Sequence, residues 1–532
     1  MERLANSITL LSGWRRAGLA FLCGAVTVLA QAPFHIFAIC FLTFPVLVWM
    51  LDGALTRPSP SWLVRSRPAF VIGFAFGFGY FVAGLWWIGN ALFVEAEEFL
   101  WAWPLAVIAL PALLALFYGF AAVLARTLWS DGVGRIAALA FAFGVAEWLR
   151  SFVLTGFPWN AIGYAAMPVP ALMQSASLVG IFGMNAIAVF AFCLPALVAQ
   201  ARPQAVIAAV LMAGLIGGHT GYGLWRLSEA GHQQASGPLI RVVQPAIDQS
   251  KKLDPASSAE IFETLLDLTI HKSGDGATPD IVVWPETSIP FILTEESAAV
   301  ARLAQALQPH QVLLAGAVRA SAAGSSDGGT TYFNSIFAID GDGVIVAAAD
   351  KKHLVPFGEY LPFAETFRRA GITAVAAADR GYSAAENRRT IDLPGGLSVL
   401  PSICYEAIFP GETAAAGEPP DVMVNVTNDA WYGNTPGPYQ HAHQARIRAV
   451  ENGFPLVRAA NNGVSAIYDG YGRQLAALGY GPHGAIEAAV PEALAATPYQ
   501  RHGRVIFLLL IAGLFAAALY GRVFGGKRLK MH

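Results

Sequence analysis

Eight separated runs of apolar residues, near 17–33, 35–52, 69–91, 101–125, 135–153, 175–199, 204–223 and 505–521, limit this chain more than any other feature. The hydrocarbon core of a bilayer is roughly 30 Å thick and takes about 20 mostly apolar residues per helix, so each run has the makings of a membrane span. Hydrophobic residues are 55% of the 532 and charged residues 13%, a balance far from that of a soluble domain. The excess is uneven. Residues 1–226 and 504–532 carry most of it, whereas 227–503 contain acids, bases and turn residues throughout. The expected organisation is a polytopic α-helical membrane domain of seven transmembrane helices (1–226), a soluble domain (227–503), and an eighth transmembrane helix with its tail (504–532). Because "AGLAFLCGAVTVLAQAPF" runs straight into another apolar stretch, the first span is expected to be retained rather than cleaved.

Positive residues stay on the cytoplasmic side of short loops. With the N-terminus inside, Arg3, Arg15, Arg16, Arg57, Arg65, Arg67, Arg126, Arg135, Arg202, Arg522, Lys527, Arg528 and Lys530 all fall inside, while "EAEEF" (95–99) falls outside. Seven helices then deliver residue 227 to the far side. The soluble domain is expected to be extracytoplasmic and both termini cytoplasmic. Intramembrane charges normally mark transport pathways, and these spans hold few. Glu147 and Arg150, three apart on the fifth span, read as an ion pair anchoring the helix end, so a transporter is the weaker class.

Other classes fall on composition. With 34 basic against 36 acidic residues, there is no basic patch for nucleic acid. No Cys/His run has zinc spacing, and no glycine-rich phosphate loop follows a strand. Neither a cofactor nor a metal is expected.

Within 227–503, short β-branched runs at 239–247, 280–286, 311–319, 335–348, 397–404, 420–427 and 455–460 alternate with helical periodicity at 257–271, 295–307 and 438–451. That alternation predicts an α/β layered domain. Strand ends are where such domains gather catalytic groups, and three polar residues stand there: Glu286 in "VVWPETSIPF", Lys351 in "DKKHLVPFGEYLP", and Cys404 in "LPSICYEAIFP". Cys23, Cys40 and Cys193 lie in apolar runs; Cys404 alone sits in polar company. A base, a cation and a thiol are what acyl transfer through a thioester requires.

Each in its local wording, the trio resembles the Glu-Lys-Cys set of the nitrilase (carbon-nitrogen hydrolase) superfamily, whose domains are αββα sandwiches. The chain from end to end resembles the apolipoprotein N-acyltransferase family, with "EWLRSFVLTGFPWNAIGY" (147–164), "TNDAWYGNTPGPYQHAHQARIRAVENG" (427–453) and "PLVRAANNGVSAIYDGYG" (455–472) similar to stretches of that family. The resemblance implies Glu286 as the base, Lys351 as the oxyanion stabiliser and Cys404 as the nucleophile. It also implies supporting roles for Glu359, Tyr405 and Glu406. Successive strand residues face opposite ways, so Lys351 and Lys352 cannot both serve, and the spacing to His353 and Glu359 favours Lys351. In "QPAIDQSKKLDP" (244–255) Leu253 stands where the family often has tryptophan.

The implied activity moves an acyl chain from a membrane phospholipid to the N-terminal amine of a diacylglyceryl-cysteine apolipoprotein, in a bacterial inner membrane, by a monomer. A membrane-tethered amidase or nitrilase, with water as acceptor, is the alternative. Residues 357–378, "FGEYLPFAETFRRAGITAVAAA", mix aromatic, aliphatic and arginine residues and suit either an arm at the lipid interface or an ordinary surface loop.

Overall fold

A computed structural model describes residues 2–54, 61–200, 202–232, 236–271, 277–321, 330–363, 369, 381–411 and 419–525. The chain forms two compact units, Met1–Gly231 with Thr497–His532, and His232–Ala496.

The first unit is helical. Its main helices are α1 (Gly13–Thr27), α2 (Cys40–Asp52), α3 (Trp62–Leu85), α4 (Leu110–Thr127), α5 (Val133–Arg150), α6 (Ala176–Cys193), α7 (Arg202–Glu229) and, from the far end of the chain, α11 (Pro498–Gly525). A helix falls in each of the eight apolar runs. Five described segments are long and apolar enough to cross a bilayer: 62–93, 96–127, 176–199, 202–229 and 498–524. Helices α1 and α2 stop short because the chain leaves α-geometry for 3-10 turns at Val28–Ala30 and Phe37–Ile39. Helices α1 and α3 approach until backbone meets backbone: a Cβ on Gly24 would strike the Phe76 carbonyl oxygen, and one on Gly79 that of Phe21. Small residues permit this approach where lipid supplies no hydrophobic drive.

Glu147 and Arg150 do form an ion pair, at 2.6 Å, with neither side chain exposed. Tyr118 donates to the Glu147 carboxylate at 2.5 Å, and Arg150 donates to the carbonyls of Phe157 and, at 2.9 Å, Trp159. The pair thus anchors the segment after α5 as well as the helix end, within the unit rather than in water.

The second unit is an αββα sandwich. One sheet has the order β12-β1-β2-β3-β4-β5 and the other β11-β10-β9-β8-β7-β6. The strands are β1 (Leu239–Gln244), β2 (Ile281–Trp284), β3 (Val312–Ser321), β4 (Thr331–Ile339), β5 (Ile345–Asp350), β6 (Ile391–Asp392), β7 (Ser398–Ile403), β8 (Val422–Thr427), β9 (Leu456–Ala460), β10 (Ser465–Tyr468), β11 (Gln474–Leu478) and β12 (Gly484–Ala489). Period-two alternation sorts each strand between two cores. From β2, Ile281 and Val283 join the core between the sheets with Val422, Val424 and Val426 of β8. Its Val282 and Trp284 face the outer layer of α8 (Ser258–Ile270) and α9 (Ser297–Ala306). On the opposite side, Ala445 and Ala449 of α10 (Pro436–Asn452) pack on Leu400, Met423 and Leu456.

The run predicted as one strand over 335–348 is a hairpin. Asp340 turns it by accepting the amides of Asp342 and Val344 at 3.1 and 2.9 Å. Strands β10 to β12, built of Ser, Gly, Gln and Ala beside few β-branched residues, carry little strand signal of their own and are held by antiparallel pairing.

Candidate active site

Strands β2 and β3 run parallel, and β3, β4 and β5 are successively antiparallel, so β2 and β5 point the same way. Glu286 follows the end of β2 by two residues, Lys351 follows β5 directly, and Cys404 follows β7 directly. The sandwich brings all three together. Lys351 Nζ lies 3.4 Å from Glu286 Oε1 and 2.8 Å from Glu359 Oε1, and the charges of Glu286 and Lys351 both act on the Cys404 thiol. All are buried, Lys351 to 1% exposure. Lys352, one residue on, is exposed.

Burial alone would raise the Glu286 carboxyl; Lys351, then the Asn334 amide and Lys252, outweigh it and hold the group below the usual carboxylate range. Burial works against the Lys351 ammonium, but Glu359 and Glu286 overcome it and push its pKa up. For Cys404, burial first and then the charge of Glu286 raise the pKa, with Lys351 opposing. The resting arrangement is therefore a neutral thiol beside an ionised carboxylate and a fixed cation, which poises a base to take the thiol proton only when sulfur attacks.

Cys404 has φ +49°, in the left-handed region. For a residue with a Cβ this conformation costs about 1–3 kcal/mol and persists only where the surroundings enforce it. Glu406 supplies the enforcement. Its Oε2 accepts the Ile403 amide at 2.7 Å, and Oε1 accepts the amides of Lys352 and His353 at 2.9 and 3.1 Å and meets Arg388 at 2.8 Å. One carboxylate thereby ties the cysteine turn to the lysine segment. Tyr405 packs edge-on against Phe409 at 5.0 Å and His353 at 5.8 Å. Glu359, besides meeting Lys351, accepts the Val355 amide at 2.8 Å.

Four features of the site were not singled out in the sequence. Asn334 bridges Glu286 Oε1 and Glu359 Oε1, each at 2.8 Å. Lys252 donates to the Glu286 carbonyl at 2.7 Å, and burial lowers its pKa to about 8 against the pull of Glu286 and Cys404. Thr427, the last residue of β8, reaches Cys404 Sγ at 3.2 Å. Behind it Asp429 meets His441 at 2.8 Å and Arg458 at 2.7 Å. A signal existed for Thr427: in "VMVNVT" the polar residues Asn425 and Thr427 share one face of an otherwise apolar strand. Leu253, at the end of the short helix carrying Lys252, is 38% exposed. Of the 357–378 segment only 357–363 and 369 are among the described residues; Phe357 and Phe363 there are 58% and 67% exposed, and the expected arm otherwise lies outside them.

The carbon-nitrogen hydrolase family model matches residues 239–499, and that of the apolipoprotein N-acyltransferase N-terminal domain matches 23–194. An apolipoprotein N-acyltransferase of Sinorhizobium fredii is 53% identical over 523 residues, spanning 97% of this chain and 98% of its own. The chain belongs to the apolipoprotein N-acyltransferase family. It is an acyltransferase built on a nitrilase-like domain and carries several apolar helices able to span a membrane. A relative from Brucella suis biovar 1 is 51% identical over 523 residues, 98% of each chain. Among solved structures, an amidase from Nesterenkonia sp. aligns at 19% identity and TM-score 0.34, over 48% of this chain and 92% of that one.

Proposed function

We propose that this acyltransferase moves an acyl chain from a membrane phospholipid to the N-terminal amine of a diacylglyceryl-cysteine apolipoprotein, by way of a thioester on Cys404. The observation that carries the reading is the buried cluster of Cys404, Glu286 and Lys351, in a chain whose full-length relatives bear that family's name.

Glu286 takes the Cys404 proton as sulfur attacks the ester carbonyl, and Lys351 faces the oxyanion that forms. The intermediate collapses, the glycerol oxygen leaves with the proton from Glu286, and lysophospholipid departs. The lipoprotein amine then attacks the thioester carbonyl and gives its proton to Glu286. As the carbon–sulfur bond breaks, its electron pair returns to sulfur, which recovers the proton. Ester to amide runs downhill, so the exchange needs no nucleotide. Glu359 holds Lys351, while Glu406 and Tyr405 hold the turn on which the thiol sits.

Both substrates live in a bilayer, which gives eight helices a purpose. In this reading residues 1–226 and 504–532 form the membrane domain of a monomer in a bacterial inner membrane. Residues 227–503 stand in the periplasm, with both termini in the cytoplasm. Reporter fusions at residues 60, 130, 230 and 530 are expected to read inside, inside, outside, inside; a cytoplasmic signal at 230 overturns the orientation.

The activity itself is tested with purified enzyme, a phospholipid and a synthetic diacylglyceryl-cysteine peptide. The expected product is the N-acylated peptide with an equal amount of lysophospholipid. Release of free fatty acid without peptide acylation would instead make the protein a hydrolase.

A further inference from the structure

Thr427 is wholly buried, and its hydroxyl has one proton and two acceptors: Cys404 Sγ at 3.2 Å and Asp429 Oδ1 at 3.1 Å. We propose that this hydroxyl is a further catalytic group, donating to the Cys404 sulfur whenever that sulfur carries negative charge. The proposal rests on the reading of Cys404 as the nucleophile and adds to it a donor for sulfur, distinct from the donor for the carbonyl oxygen.

The two acceptors change rank during the cycle. In the resting thiol the sulfur is neutral and Asp429 is ionised. Burial disfavours that charge, but Arg458 and then His441 hold the carboxyl below its usual range, so the hydroxyl donates its hydrogen bond to Asp429. Once Glu286 has the thiol proton, sulfur holds a full charge and the hydroxyl turns to it by rotation about its own C–O bond. No heavy atom moves. Asp429 keeps its contacts to Arg458 at 2.7 Å and His441 at 2.8 Å, so the loss of one donor does not strand it. In the thioester, sulfur is neutral again and the hydroxyl rotates back to donate to Asp429. When the amine attacks and the carbon–sulfur electron pair moves onto sulfur, the same rotation stabilises the leaving thiolate.

Lys351 is placed for other work, because its Nζ is held by Glu359 and Glu286. The chain around Thr427 is also fixed to the nucleophile: His441 Nε2 lies 3.0 Å from the Cys404 carbonyl oxygen, and Arg458 donates to Asn425, two residues back on β8. A β-branched side chain at this position is stiff at χ1 and keeps its oxygen aimed. The ionisable groups that interact electrostatically with the sulfur include Glu286, Lys351, Asp429, Lys252 and Tyr432; Thr427 is a neutral donor at hydrogen-bonding distance from it.

The test uses full-length enzyme in detergent as wild type, Thr427→Val, Thr427→Ser and Cys404→Ala. Two rates are read: single-turnover N-acylation of the peptide, and carbamidomethylation of the Cys404 peptide by iodoacetamide at neutral pH. A hydrogen bond to a charged group is lost in Thr427→Val, so acylation is expected to slow roughly tenfold. Alkylation should fall less, about threefold, because a less stabilised thiolate is scarcer but more nucleophilic. Thr427→Ser, which keeps the hydroxyl, should stay near wild type in both. Wild-type rates in a folded Thr427→Val overturn the proposal. Should Thr427→Val fail to fold, Thr427→Ala carries the same comparison with Thr427→Ser, and equal rates there overturn it as well. Cys404→Ala separates the two levels: if it still acylates, the nucleophile and this proposal fall together, whereas an inactive Cys404→Ala beside a fully active Thr427→Val removes the hydroxyl role alone.

Discussion

Each unit of this chain buries a cluster of charges, and the two clusters differ in what they hold beside the charges. In the helical unit one carboxylate meets one guanidinium. Glu147 and Arg150 sit 2.6 Å apart, with Tyr118 and two carbonyls taking further hydrogen-bonding positions. In the sandwich, Lys351 is shared between two carboxylates, the contact to Glu286 is a long 3.4 Å, and a neutral thiol on a left-handed turn lies beside it. A closed pair can only hold structure. A cluster with a proton to move and strained backbone has something left to do, and this is why the chemistry is assigned to the second.

The strongest way to break that contrast is to exchange the expected outcomes. Removing one partner of a closed buried pair leaves the other charged and unpaired, at about 3–5 kcal/mol. Arg150→Ala is therefore expected to lower the thermal unfolding midpoint sharply and to lose activity through the fold. Glu286→Gln should leave the midpoint near wild type while acyl transfer drops by roughly 10²- to 10⁴-fold, the share of a general base. An Arg150→Ala protein that melts like wild type, or a Glu286→Gln protein that fails to fold, would erase the distinction.

How much of this was legible in the sequence follows from the same contrast. Glu286, Lys351 and Cys404 stand at the ends of strands whose apolar runs announce them, and the family wording names their roles. The helical unit was legible as apolar runs, yet the depth of Glu147 and Arg150 was not. Spacing of three on a helix gives a pair but not what covers it, and here the cover comes from Tyr118 and the 157–159 segment. Asn334, Lys252 and the Asp429–His441–Arg458 group escaped for a related reason. Each lies far along the chain from the residue it serves: Asn334 is 48 positions from Glu286, and His441 is 37 from Cys404. Strands β10 to β12 escaped because pairing, not composition, makes them strands.

A narrower comparison lies inside the cluster. Lys351 is buried between two carboxylates and its neighbour Lys352 is exposed, so Lys351→Met should cost about 10²- to 10³-fold in acyl transfer, the usual share of an oxyanion donor. Lys352→Met should stay within about twofold, since surface changes away from special features rarely exceed ~0.5 kcal/mol. Equal losses would mean that neither is a specific oxyanion donor.

The smallest expected effect concerns Lys252. Its pKa is about 8 in the folded chain against about 10.4 unfolded, so between those values the unfolded chain binds more protons. Stability should therefore rise with pH across that window. Lys252→Met should remove this rise, a difference on the order of 1 kcal/mol once its half-buried position is allowed for. Unfolding midpoints of the two proteins at neutral and alkaline pH measure it, and parallel curves would mean that the ammonium is better solvated than its contact with Glu286 implies.

The central claim is that Cys404 becomes acylated, while Cys23, Cys40 and Cys193, buried in the helical unit, do not. Purified enzyme incubated with phospholipid and no lipoprotein should gain the mass of one acyl chain on the Cys404 peptide. Hydroxylamine at neutral pH should release it, as it does thioesters, and Cys404→Ala should never acquire it. An enzyme that transfers acyl chains to lipoprotein yet shows no such adduct, or whose adduct survives Cys404→Ala, would contradict the account.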